Sequence, residues 1–225
     1  MVMIAATKIS LIISLVLLPN NCLGLVSFFR EREQLRYYFA YGSNMLQPTL
    51  TSLRNVQPIN ATAAVLPGYK LCFNIPGNDL IEPSAACVEP ATESDCSVHG
   101  VLYTLRESDF RTVSRTEGVP VVYQWQDVKV FPYSGNGESA GVSALQDDTP
   151  SVYAQTLVSS FRGADIPPSP SYLRILQDGA AYWRMDEDYQ KLLRQTPVAD
   201  QLLVPGGVSG PLLDIAMLLN PSKSP

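Results

Sequence analysis

The strongest constraint on the fold is an aromatic run, Tyr37-Tyr38-Phe39-Ala40-Tyr41, that stops abruptly at Gly42-Ser43-Asn44. Aromatic residues favour a pleated, packed surface, so the run predicts a buried strand. Met45 to Leu53 then predicts a short helix, with Ser43 or Asn44 to cap its N–H groups and Pro48 tolerated near the first turn. A strand that delivers Gly-Ser-Asn into a helix start gathers several backbone N–H groups at one point, and Gly42 lets a ligand come close. These residues support two readings: an anion cradle for a carboxylate or a developing oxyanion, and an ordinary capped turn.

Further along, Val56 to Leu66 and Tyr69 to Phe73 read as strands joined by Pro67-Gly68. Pro76 to Asp95, rich in Pro, Gly, Ser and acids, reads as a loop with one short strand near Ala85 to Val88. His99 to Leu105 is a strand, and Glu107 to Arg115 a helix with Phe110 and Val113 on one face. Val121 to Tyr133, Gly141 to Gln146 and Ser151 to Phe161 add strands, while Ser169 to Gln177 and Met185 to Leu193 have helical spacing. Few helices separate the strands, so antiparallel pairing and a mixed α+β class are expected.

A chain of 225 residues, 46% hydrophobic and 16% charged, suits one substantial core. A formal net charge of −5 without a Lys/Arg cluster offers no footprint for nucleic acid. One histidine, His99, and four scattered cysteines give no metal-site spacing, and no Gly-rich nucleotide loop occurs, so neither cofactor nor metal is expected.

Residues 1–24 read as a secretory signal peptide: a short start with Lys8, an apolar run from Ile9 to Leu18, and a breaker-rich end with cleavage after Gly24. Cleavage implies the secretory pathway or the extracellular space. A retained leader implies a cytoplasmic or membrane-associated protein, touching a membrane only through that segment. Residues 25–35 then form a linker, 36–200 the folded domain and 201–225 a C-terminal tail with an apolar stretch from Leu212 to Leu219. Cys72, Cys87 and Cys96 follow the leader; they read either as buried thiols or as one disulfide, Cys87 to Cys96, with a third thiol. Asn60-Ala61-Thr62 is a glycosylation sequon if the chain is secreted.

Several blocks, in order, resemble one family. Tyr38-Phe39-Ala40-Tyr41-Gly42-Ser43-Asn44 resembles the N-terminal signature of the γ-glutamylcyclotransferases, and Thr116-Glu117-Gly118-Val119 the loop that carries their catalytic glutamate. Tyr123 to Val130 resembles the strand after it, Pro167 to Leu173 the substrate-side motif before a helix, and Asp188 to Leu193 the closing helix. The resemblance spans about Arg36 to Thr196, while Ile75 to Ser97 and His99-Gly100-Val101 depart from the family's pattern.

It implies a small mixed, mainly antiparallel β-barrel with flanking helices, and a cofactor-independent release of 5-oxoproline from small γ-glutamyl compounds. It implies Glu117 as the catalytic residue, although a Glu beside a Gly, taken alone, reads as solvated surface. Tyr38, Phe39, Ala40, Tyr41, Gly42, Ser43, Asn44 and Tyr172 are the implied substrate-binding residues. Tyr123 and Tyr153 are weaker candidates, and His99 reads as a strand residue. Asn44 leans toward γ-glutamyl amino acids or dipeptides as substrates, with glutathione or a γ-glutamylamine, or a noncatalytic binding module, as alternatives.

Overall fold

The computed structural model describes residues 34–78, 81–93, 96–133, 149–161 and 163–200. The leader, most of the linker, the strand expected at residues 141–146 and the tail lie outside the described residues.

The aromatic run forms β1, Leu35–Ala40. It pairs with β5, Ser97–Arg106, antiparallel and with β7, Val152–Val158, parallel. With β2, Asn60–Pro67, and β6, Gln124–Pro132, the sheet closes into a five-stranded barrel of order β1-β5-β2-β6-β7. Only β1–β7 is parallel, so the mixed, mainly antiparallel barrel is what the fold shows. At Gly100 a Cβ would lie 2.4 Å from the Ala40 carbonyl oxygen and 2.7 Å from the Phe39 ring, so glycine is what lets β1 lie this close.

Residues 76–95 correct the sequence expectation. Instead of a loop with one short strand, β3, Tyr69–Asn78, and β4, Glu82–Pro90, form a separate two-stranded sheet. Pro76, Pro83 and Pro90 are tolerated because both strands of a two-stranded sheet are edges, where a missing N–H breaks no interior ladder. A register irregularity between Cys72 and Ile75 bends β3, and Phe73 meets the Tyr172 ring edge-on at 6.4 Å between centroids. Of the two readings of the cysteines, the structure shows thiols rather than a Cys87–Cys96 disulfide. All three described cysteines are thiols; Cys87 is fully buried on β4 opposite Cys72, while Cys96 lies at the start of β5 in partial contact with solvent.

Among the described residues, three α-helices flank the barrel. In α1, Glu107–Thr116, acids occupy the first turn and Arg115 the last, as the helix dipole favours, and Phe110 and Val113 are buried. In α2, Pro170–Tyr182, the Ser169 side chain accepts from the Tyr172 amide and Pro170 stands where no N–H is needed. In α3, Glu187–Gln195, Asp186 caps the start and Tyr189 and Leu193 face inward. The helix expected over Met45 to Leu53 is instead a 3-10 turn, Ser43–Met45, followed by a π-turn, Thr49–Leu53, with no side-chain cap on either. The Asn44 side chain that was expected to cap is committed elsewhere.

Candidate active site

The end of β1, the 3-10 turn, the end of α1, the hairpin β3–β4 and the start of α2 meet around a small cavity. Tyr38, Tyr41, Gly42, Ser43, Asn44, Ala86, Glu117, Tyr123, Leu157 and Tyr172 line it. Of the residues expected there, Phe39 and Ala40 are not in the lining. Both are fully buried against β5, Phe39 with its ring over Gly100, so they support the site from the core. Tyr153 is 75% exposed on β7 and stands apart from the cavity, whereas Tyr123 is in it. His99, 6% exposed, stacks on Tyr189 outside the cavity, and burial lowers its pKa to about 4.

Glu117 sits at the C-terminal end of α1, its amide donating to the Val113 carbonyl at 2.9 Å. Gly118 follows at φ +70°, a left-handed conformation that explains the glycine and turns the chain away from the helix. The carboxylate is only 4% exposed. A buried charge needs a partner, and the sequence reading had none to offer. The structure supplies Arg54: its Nη2 lies 2.8 Å from Glu117 Oε1, out of line for a hydrogen bond, and the residue is 7% exposed. Arg54 also donates from Nε to Asn44 Oδ1 at 2.6 Å and from Nη1 to the Thr116 carbonyl at 3.4 Å. Asn44 Nδ2 donates to the same Glu117 Oε1 at 2.8 Å and to the Tyr38 hydroxyl at 3.0 Å. The Tyr103 hydroxyl fixes the Asn44 carbonyl at 2.9 Å. Arg54, Asn44 and Glu117 thus form one buried cluster; breaking such a pair by removing one partner typically costs about 3–5 kcal/mol. The cation also lies at the negative end of α1, where it is favoured.

The opposite wall is tied to backbone. Tyr41 donates to the Leu157 carbonyl at 2.6 Å, Tyr123 donates to the Ala86 carbonyl at 2.9 Å, and the Ala86 amide donates to the Tyr172 hydroxyl at 3.2 Å. Burial pushes the Tyr38, Tyr41, Tyr123 and Tyr172 phenols well above their ordinary range, so they remain neutral near pH 7. Gly42 opens onto this wall, since a Cβ there would stand 3.3 Å from the Tyr172 hydroxyl. The first bonds of the 3-10 turn are Met45 N–H to Gly42 and Leu46 N–H to Ser43, so the amides of Gly42, Ser43 and Asn44 precede its hydrogen-bonded part.

The rim of this small barrel thus joins a buried acid–amide–guanidinium cluster to a glycine turn and a wall of neutral tyrosines, a class of pocket in which charged and neutral polar groups converge. The family model described as "Gamma-glutamyl cyclotransferase, AIG2-like" matches residues 38–155, and the chain belongs to that family. Among curated proteins, it is 28% identical over 152 residues to gamma-glutamyl cyclotransferase gliK of Claviceps purpurea, covering 64% of this chain and 63% of that protein. It is 29% identical to the gamma-glutamylcyclotransferase of Bos taurus over 158 residues, covering 69% of this chain and 76% of that one. The chain spans about three-fifths of the length of the first fungal relatives it matches. Among solved structures, a gamma-glutamyl cyclotransferase superposes with a TM-score of 0.62 at 23% identity, covering 81% of this chain and 98% of that one, which shows the shared fold.

Proposed function

We propose that this chain is a γ-glutamylcyclotransferase that releases 5-oxoproline and a free amino acid from γ-glutamyl amino acids or dipeptides. The observation that carries the reading is the placement of Glu117: a buried carboxylate in the lining of the same cavity as the Gly42-Ser43-Asn44 turn.

A γ-glutamyl amide contains its own nucleophile, the α-amino nitrogen, and a bent substrate presents it to the γ-carbonyl with a large effective molarity. Glu117 takes a proton from the α-ammonium group, and the freed nitrogen forms a C–N bond to the γ-carbon. The backbone N–H groups at Gly42 to Asn44 hold the substrate carboxylate and the developing oxyanion. Collapse breaks the original C–N bond as the departing amine takes the proton back from Glu117, and the ring nitrogen then gives up its second proton, again through Glu117, to the released amine. Ring closure expels the amine without consuming water. The tyrosine wall supplies apolar faces around the folded glutamyl chain.

The test is incubation of the protein from Leu25 onward with a panel of γ-glutamyl amino acids, glutathione and γ-glutamylamines, following 5-oxoproline. Fastest turnover is expected with a γ-glutamyl amino acid; binding without product from any member refutes the enzyme reading. In the same proposal residues 1–24 are a cleaved leader. N-terminal sequencing of the native protein should then find a start near Leu25, and an intact Met1 refutes cleavage.

A further inference from the structure

We propose that Arg54 is the positioning residue that makes Glu117 return its proton to the leaving amine, a role that rests on the cyclotransferase reading. Arg54 Nη2 and Asn44 Nδ2 both lie 2.8 Å from one oxygen, Oε1 of Glu117. Arg54 also holds Asn44 from Nε, so a single guanidinium fixes both the acid and the amide that orients it.

The electrostatics follow from burial. With Glu117 ionised, the pair is neutral overall. Once Glu117 accepts the α-ammonium proton, Arg54 is left as a buried cation without its counter-charge, a costly state that proton release relieves. The guanidinium therefore opposes proton storage on Glu117 and favours delivery to the departing nitrogen. The other titratable groups facing Glu117 from neighbouring elements are Tyr38 on β1, Tyr123 before β6 and Tyr172 on α2. Burial keeps all three neutral, so none can take over the counter-charge. The out-of-line geometry of Nη2 fits the same role, because a charge contact survives the small shifts of a carboxyl group that gains and loses a proton.

The test uses Arg54→Gln and Arg54→Lys with γ-glutamyl anilides graded in the basicity of the leaving amine, measured at one pH. For Arg54→Gln, kcat should fall on the order of 10²-fold with basic leaving amines but only a few-fold with nitroaniline, which departs with little help from an acid. KM should change less. Arg54→Lys, which keeps the charge but loses the fork, should retain the wild-type dependence on the leaving amine at a reduced rate. An equal loss across all anilides overturns the proposal and leaves Arg54 as a structural residue. If Arg54→Gln does not fold, Arg54→Lys decides: dependence steeper than wild type means that position and not charge matters, which also overturns it. Wild-type protein that releases no 5-oxoproline from any anilide instead refutes the cyclotransferase reading itself.

Discussion

Among the described residues two carboxylates are buried, and they are accommodated by opposite means. Glu117, 4% exposed, faces a guanidinium. Glu82, 2% exposed at the start of β4, is held by neutral donors: Ser169 gives its amide at 2.9 Å to Oε1 and its hydroxyl to Oε2, and the Ser84 backbone also bonds the carboxylate. Ser169 is also the cap that accepts from the Tyr172 amide, so Glu82 ties the hairpin to the helix that carries one wall of the cavity. Burial raises the Glu82 pKa, only partly offset by its bonds to Ser169. The difference teaches that a charge partner suits a carboxylate that must ionise and exchange protons, whereas hydroxyl and amide partners suit one that pins two segments together.

The comparison breaks most sharply at Glu117. Glu117→Gln should lower kcat by ~10²–10⁴-fold, as loss of a general acid–base group does. It should also lower Tm, because Arg54 keeps its charge and loses its counter-ion. Steady-state rates normalised to the folded fraction check this; near-normal turnover would falsify the assignment. Gly42 stands between the two systems, beside the Tyr172 hydroxyl. A side chain at Gly42 would crowd that hydroxyl, its Cβ standing 3.3 Å away, so Gly42→Val narrows the cavity at the turn. Calorimetry with a non-cleavable γ-glutamyl analogue should show affinity weakened about tenfold, a loss of about 1.4 kcal/mol; unchanged affinity places the cradle elsewhere.

The smallest effect is expected at Glu82. Its folded pKa lies above its unfolded one, so its contribution to stability is fully present below the unfolded value and is lost as pH rises through the folded value. Glu82→Gln, neutral at every pH and still able to accept from the Ser169 amide, should therefore melt slightly higher than wild type near pH 7. The advantage should shrink toward pH 4. A variant that melts lower at pH 7 than wild type would show that Glu82 is stabilising as an anion.

Much of the barrel was legible in the sequence because its strands advertise themselves: the aromatic run of β1, the Pro67-Gly68 turn and the regular face of α1 are local signals. β4 was not, since Glu82–Pro90 carries two prolines and reads as loop until its partner strand is known. The site divides the same way. Asn44 and Glu117 were legible through block resemblance, but the capping role given to Asn44 was not what its side chain does. Arg54, in Ser52-Leu53-Arg54-Asn55, looks like a surface residue. Its partners lie far along the chain, and the only local hint was a charged residue just after a buried-helix pattern. Ala86 entered the site through its backbone, which no side-chain signal reports.

β1 sits between the late strands β5 and β7, and the Thr156 hydroxyl bonds the Phe39 carbonyl across 117 residues. During synthesis, the strand that ends in the glycine turn emerges early and waits for both neighbours. Its pairing is of high contact order, which predicts slow folding. Until residues 152–158 leave the ribosome, the edge that will face β7 is an open template for another chain. The cavity thus comes into being among the last steps of folding, and a nascent chain halted before Val152 would lack it and be prone to aggregate through the strand that leads to the glycine turn.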